Sequence, residues 1–274
     1  MMAKHDKLNV FIGCVAYGDV DPTVLQSMFL WATHNGANYR DDYRIYFSVA
    51  SKKEQYRARN ALVKQAREVN ADVLLMVDDD QTPHHTLDCL KRFEMLKQPI
   101  AGGLYYQRGG AYHPVVMKEF KGLNNTRKYR FYHVSELPKK PGPVDVLGGG
   151  FNWIEMSVFD KIREYYWWPT PRYVSFVPDS MLGLDVHFCQ KAREAGYECW
   201  LDPNIHVGHV SYDRLEVSRN SRPSQEWIEQ QPAYRIYQET VYGLADWNPD
   251  DIPDGENGML TESDVDDAEL VEVK

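Results

Sequence analysis

Asp72-Val73-Leu74-Leu75-Met76-Val77-Asp78-Asp79-Asp80 is the stretch on which the reading of the fold turns. Five apolar residues in a row, bounded by polar ones, predict a short strand buried on both faces. Three carboxylates follow at once. Gln81-Thr82-Pro83 then leads into a predicted helix, with Thr82 suited to its N-cap and Pro83 to its first position. Ligands in open α/β sheets bind just outside the carboxyl ends of the strands. Carboxylates crowded at such an end repel one another, so each is raised in pKa unless a cation sits between them. A hard divalent ion with oxygen ligands resolves that conflict, which points to a Mg²⁺ or Mn²⁺ site at the sheet edge. The competing reading is a polar strand end facing a helix N-terminus.

Upstream, Leu8 to Ala16 and Tyr43 to Ala50 read as two further strands. Helical stripes lie between them, over Pro22–Trp31 and Glu54–Val69. The order strand, helix, strand, helix, strand implies a parallel sheet with right-handed crossovers. Downstream, a helix is expected from Pro83 to about Leu96, then a strand over Pro99–Tyr106. Hairpin or loops follow to Pro143, and a short strand over Val144–Leu147 runs into Gly148-Gly149-Gly150. Three glycines in a row permit close backbone approach to a ligand, or a tight bend before a strand. Met156–Tyr165 is predicted helical. Residues 165–176 are rich in aromatic rings that could wall an acceptor site or simply build core. Gly183-Leu184-Asp185 opens another helix, stopped by Gly196. Strands over 198–203 and 205–210 complete the pattern.

The 274 residues suffice for one large domain with an extension. The net charge of -9 is concentrated at one end: residues 246–274 hold eleven acids and one base. The rest, with 29 acids against 30 Lys and Arg, is close to neutral, which argues against a nucleic-acid partner. The four cysteines form no CxxC pair, so their spacing does not point to zinc and a reduced setting is the default. Lys4, His5, Asp6 and Lys7 leave no room for a long apolar core of a signal peptide, and no stretch reaches transmembrane length. A soluble, cytoplasmic protein is the expectation.

No GxxxxGK[ST] occurs, which excludes a P-loop enzyme despite the paired acids after a strand. GxGxxG is missing after the first strand, and haloacid-type phosphatases carry their aspartates on the first strand rather than the third. What remains is an ordered series: Arg59-Asn60 with Ala61 to Ala66, Val73 to Asp80, Gly148 to Asn152, Asp185 to Tyr197, and Leu201-Asp202-Pro203 through His209. The series resembles the GT-A glycosyltransferases, most closely the large family-2 group, over about residues 8–210. The resemblance implies an α/β, Rossmann-like nucleotide-sugar-binding fold with a mixed, mostly parallel sheet flanked by helices. It implies a domain over 1–210; the apolar pattern of 211–245 adds a helical extension, and the acidic 246–274, with little to bury, reads as a mobile tail.

It also implies roles. Asp78 and Asp80 match the D-x-D signature that holds Mn²⁺ or Mg²⁺ against the diphosphate of a nucleotide sugar. Asp79 is expected on ribose or nearby backbone. His209 matches a third metal ligand, with His206 as its rival. Asp185 matches the general base acting on the acceptor hydroxyl, although Leu184 stands where a Glu is usual, and an N-cap role is the alternative. Tyr17 could stack on the base, Arg59 could pair with phosphate, and Gly149 lies where the donor approaches backbone. Ser48-Val49-Ala50-Ser51 lacks the Asp that members use on uracil or ribose. The implied activity is inverting transfer of a sugar (a hexosyl group) from a UDP-linked donor to a glycan or other hydroxyl acceptor. Two other classes share the layout: a nucleotidyltransferase, for which Ala16-Tyr17-Gly18-Asp19 is a poor phosphate loop, and a non-catalytic sugar- or nucleotide-binding module.

Overall fold

The computed structural model describes residues 7–16, 18, 20–51, 54–108, 112–121, 127–162, 183–210, 216–217 and 226. Strand β1 (Leu8–Ala16), helix α1 (Pro22–Asn38), β2 (Tyr43–Ser51), α2 (Gln55–Glu68) and β3 (Val73–Asp78) alternate as the periodicity predicts. Asp21 caps α1 by accepting from the Thr23 amide, with Pro22 at the first helical position. β4 (Gln81–Thr82), a 3-10 turn (Pro83–Thr86), α3 (Cys89–Leu96) and β5 (Ile100–Leu104) follow. A hairpin of β6 (Val116–Lys121) and β7 (Arg127–Phe131) leads to β8 (Gly142–Val144), β9 (Val146–Leu147) and β10 (Phe151–Glu155). The chain continues through α4 (Met156–Lys161), α5 (Leu184–Glu194), β11 (Cys199–His206), β12 (Gly208–Val210) and β13 (Glu216–Val217).

Seven strands form one sheet in the order β2-β1-β3-β10-β5-β11-β8. β10 and β8 run antiparallel to their neighbours and the other pairings are parallel. The mixed, mostly parallel sheet flanked by helices is the fold class the sequence implies. Alternation along the strands splits the core in two. Phe11, Val15, Leu74 and Met76 pack on one face with Leu62 of α2, Phe159 of α4 and Phe188 of α5. Val10, Ile12, Leu75 and Val77 pack on the other with Trp31 of α1 and Phe93 of α3. At Gly13 an added Cβ would lie 3.0 Å from Leu62, so α2 seats against β1 only because that side chain is missing.

Three expectations change. The helix expected over Pro83–Leu96 is a 3-10 turn followed by a shorter α-helix, because Gln81 and Thr82 pair as a strand with His209 and Gly208. The Thr86 side chain is also taken by the backbone of His206. The helix from Met156 ends at Lys161, where Ile162 turns extended. Val144–Leu147 is two strands in two sheets, with β8 on β11 and β9 on β6. The aromatic segment 165–176, the acidic tail and nearly all of the 211–245 extension lie outside the described residues. Of that extension, Glu216–Val217 is a strand paired with β12. No helix among the described residues is long and apolar enough to cross a membrane.

Candidate active site

Parallel β-α-β units place the N-terminus of each helix beside the carboxyl ends of the strands, so α2 begins where β3 delivers its acids. Asp78 shares its face of β3 with Leu74 and Met76, the face that α2 covers. There the guanidinium of Arg59, only 1% exposed, donates from Nη2 to both Asp78 oxygens at 2.9 and 3.0 Å. Nη1 donates to the Gly149 carbonyl at 2.8 Å. Burial pushes the Asp78 carboxyl up to about 7; Arg59 pulls against this, and the Asp80 and Asp185 charges add to it. The Asp79 amide donates to the Val15 carbonyl at 2.9 Å, fixing the acidic turn to the end of β1.

Asp80 lies in the turn past the end of β3 and immediately precedes β4, which forms a second, small sheet with β12 and β13. β12 pairs Gly208 with Thr82 and His209 with Gln81, and the Val210 amide donates to the Asp80 carbonyl at 2.8 Å. That pairing carries His209 to the acids. Its Nδ1 lies 2.7 Å from the Tyr106 carbonyl, which can only accept, so Nδ1 bears the proton and Nε2 faces Asp80 Oδ2 at 3.4 Å. Arg108 Nη1 reaches the same oxygen at 2.9 Å, and Gln81 Nε2 donates to Oδ1 at 3.3 Å. Burial alone would raise the Asp80 carboxyl. The contacts with His209, then Arg108 and Gln81, outweigh it and hold it below the usual range. His206 is instead bound through its backbone to the Thr86 hydroxyl.

Gly148-Gly149-Gly150 forms the floor. A Cβ at Gly149 would run into the Asp185 carboxylate and would lie 2.8 Å from Arg59 Nη2. One at Gly148 would strike the Tyr105 hydroxyl, which also accepts from the Gly150 amide at 3.0 Å. The close approach expected of Gly149 is therefore made by the chain's own side chains. Asp185 sits in the first turn of α5, whose N-cap is Gly183, and it presses on Gly149 beside Arg59. Burial, with the Asp185 and Asp78 charges, pushes the Tyr105 phenol well above its ordinary value.

The structure thus gathers Asp78, Asp79, Asp80, Arg59, Gly149, Asp185 and His209 at one sheet edge, and Tyr17 lies outside the described residues. Two arrangements differ from expectation. Arg59 is committed to Asp78 and Gly149 rather than turned to a phosphate. Among the described residues no group of three or more His, Cys, Asp or Glu could hold a metal ion. Asp78 faces α2, whereas Asp80 and His209 face the small sheet, and this divides the expected triad. The remaining pair still fits a hard ion. Asp80 Oδ2 and His209 Nε2 point at each other, and buried Gln81 beside them carries an Oε1 with no hydrogen-bond partner. One carboxylate and an imidazole, completed by substrate phosphate and water, is a donor set suited to Mn²⁺. A separate cleft of about 490 Å³, lined in part by Leu8, Asp72, Phe93 and Lys97, lies at the opposite end of the strands, away from these acids.

Arg108, Tyr105 and Gln81 were not foreseen. β5 runs the same way as β3, so its carboxyl end shares the acidic edge, and the run Leu104-Tyr105-Tyr106-Gln107-Arg108 carries that signal.

No family model matches the sequence, and no curated protein matches it. Solved structures do. A197 from STIV aligns with a TM-score of 0.50 at 15% identity, over 79% of this chain and 97% of its own. A mutant of Drosophila β-1,4-galactosyltransferase 7 in complex with manganese, UDP-Gal and xylobiose aligns at 0.43 and 14%, over 82% and 81%. An apo UDP-glucose pyrophosphorylase aligns at 0.39 and 5%, over 70% and 90%. At these identities the likeness concerns the fold alone.

Proposed function

We propose that this protein is an inverting glycosyltransferase that moves a sugar from a UDP-linked donor to a hydroxyl acceptor, with Mn²⁺ or Mg²⁺. The observation that carries the reading is the convergence, from five separate segments, of Arg59, Asp78–Asp80, Gly149, Asp185 and His209 at the carboxyl edge of the sheet. The ordered motif series that resembles the GT-A enzymes supports the same assignment.

Asp80 and His209 would hold the ion, which supplies positive charge against the diphosphate as it leaves. Arg59 acts as a positioning residue: buried and bidentate, it fixes the Asp78 carboxylate and ties it to the glycine floor. Asp185 stands over Gly149 beside that pair and takes the acceptor's proton. As that proton moves to the Asp185 carboxylate, the acceptor oxygen bonds to the anomeric carbon from the face opposite the phosphate. The bond from that carbon to the phosphate oxygen breaks, and the nucleoside diphosphate departs with the electron pair.

The test is a melting-temperature panel of UDP, GDP, CDP, ADP and UDP-sugars, each with Mn²⁺ and with chelator, on wild type, Asp80→Asn and Asp185→Asn. Ligand at a hundred times its Kd stabilises by about 2.7 kcal/mol, roughly 5–10 °C for a chain of this size. Mn²⁺-dependent stabilisation by uridine ligands is expected in wild type and Asp185→Asn and should vanish in Asp80→Asn. Transfer by Asp185→Asn should fall about 10²–10⁴-fold. A panel flat for every nucleotide sinks the transferase. Binding unaffected by chelator or Asp80→Asn would favour the non-catalytic module, to which the pairing of both acids with arginine lends some support.

A further inference from the structure

Arg108 stands just beyond β5, at the edge where β3 delivers its acids. Its Nη1 lies 2.9 Å from Asp80 Oδ2 and donates to the Val210 carbonyl at 3.4 Å. His209 Nε2 approaches that same Oδ2 at 3.4 Å. One carboxylate oxygen therefore serves both a guanidinium and the imidazole nitrogen that Tyr106 leaves unengaged. An ion held by Asp80 and His209 requires that oxygen and that nitrogen, and a guanidinium on the same oxygen would repel it at contact distance. The two arginines of the site differ in exposure. The Arg59 side chain is 2% exposed and fixed by Asp78 and Gly149, whereas that of Arg108 is 29% exposed.

We propose that Arg108 is an internal cation that closes the ion site until a nucleoside diphosphate offers its guanidinium another anion. This rests on the donor-site reading above and adds to it a mechanism of ordered entry. The planar fork of arginine suits a phosphate as well as a carboxylate. A diphosphate arriving at this edge draws Arg108 off Asp80, and the released oxygen turns to the ion. Nucleotide and ion then bind cooperatively, and the coupling is reciprocal: each raises the affinity of the other by the same factor.

The experiment measures Mn²⁺ affinity from the paramagnetic resonance signal of the free ion, with and without UDP, on wild type, Arg108→Gln, Arg108→Lys and Asp80→Asn. Near-ultraviolet circular dichroism checks that each variant is folded. Without UDP, Arg108→Gln should bind Mn²⁺ about tenfold tighter than wild type, as expected when a charge-assisted hydrogen bond no longer competes. UDP should then improve its Mn²⁺ affinity by a smaller factor than in wild type. Arg108→Lys should stay nearer wild type, and Asp80→Asn should lose the ion in every state. Equal Mn²⁺ affinity in wild type and Arg108→Gln overturns the gate while leaving the metal-dependent donor site standing. A lysine variant as tight as the glutamine variant overturns competition by charge. Mn²⁺ bound by neither protein, even with UDP, removes the gate together with the ion site it guards.

Discussion

Asp78 and Arg59 show what a single pair does at this sheet edge. The carboxylate ends a buried strand, and its partner is a guanidinium packed inside the fold, 2.9 Å away. Removing the guanidinium leaves a largely buried carboxylate, 17% exposed, without its counter-ion, typically at a cost of about 3–5 kcal/mol. Arg59→Met should therefore lower unfolding free energy by that order in urea titrations. Arg59→Met combined with Asp78→Asn should recover a large part of it, because the orphaned charge is then gone as well. A double variant no more stable than Arg59→Met would mean that packing, rather than charge, sets the cost. The acids themselves were legible, since five apolar residues followed by three carboxylates is a local pattern. The role of Arg59 was less so, because it depends on helix phase. Arg59, Leu62, Val63 and Ala66 share the buried stripe of α2, and that spacing was the available signal that the arginine turns inward.

Elements differ in how far they obey local rules. α2 and α1 follow their stripes closely, whereas the segment after Asp80 yields to distant partners. Gln81 and Thr82 pair with β12, the Ser27 hydroxyl takes the His84 amide, and Thr86 holds His206. Local propensity for a helix from Pro83 loses to these bonds, which no neighbouring residue announces. Likewise β12 leaves the line of β11 after Val207 and brings His209 to Asp80, a placement made by tertiary pairing. α5 carries a consequence for acid stability. His187 lies on its buried face, where burial, aided by the Lys191 charge, lowers its pKa from 6.5 to about 4. Between those values the unfolded chain binds more protons than the folded one, so stability rises with pH across the window and is lost as pH falls through it. Melting temperature should drop more steeply from pH 6.5 to 4 in wild type than in His187→Leu, a differential of about 1–3 kcal/mol. Parallel pH profiles for the two proteins would remove His187 from the acid transition.

At the scale of the whole molecule, one sheet carries two cores, and its topology was only half readable. The first five elements alternate in a way that permits little besides parallel crossovers. The insertion of β10 between β3 and β5 has no such signature. Its residues are buried on both faces like those of β3 and β5, which run parallel to each other, so their apolarity is silent on strand direction. That inserted strand is nevertheless what makes the site, because it places Gly148–Gly150 between the acids of β3 and the end of β5. It also ties the two cores together: Trp153 stacks on Phe93 at 5.8 Å on one face, and Ile154 joins the core of Leu62 on the other. The two faces should therefore unfold as one unit. Leu62→Ala and Phe93→Ala each empty a fully buried position on opposite faces and should each cost about 2–5 kcal/mol. Because the two residues lie in separate clusters on opposite faces, the double variant should lose close to the sum. Far-ultraviolet circular dichroism and tryptophan fluorescence should give coincident denaturation curves in all four proteins. If Phe93→Ala instead splits the transition, with fluorescence changing ahead of the helical signal, the face bearing α1 and α3 melts by itself. The acids of β3 would then rest on the α2 face alone.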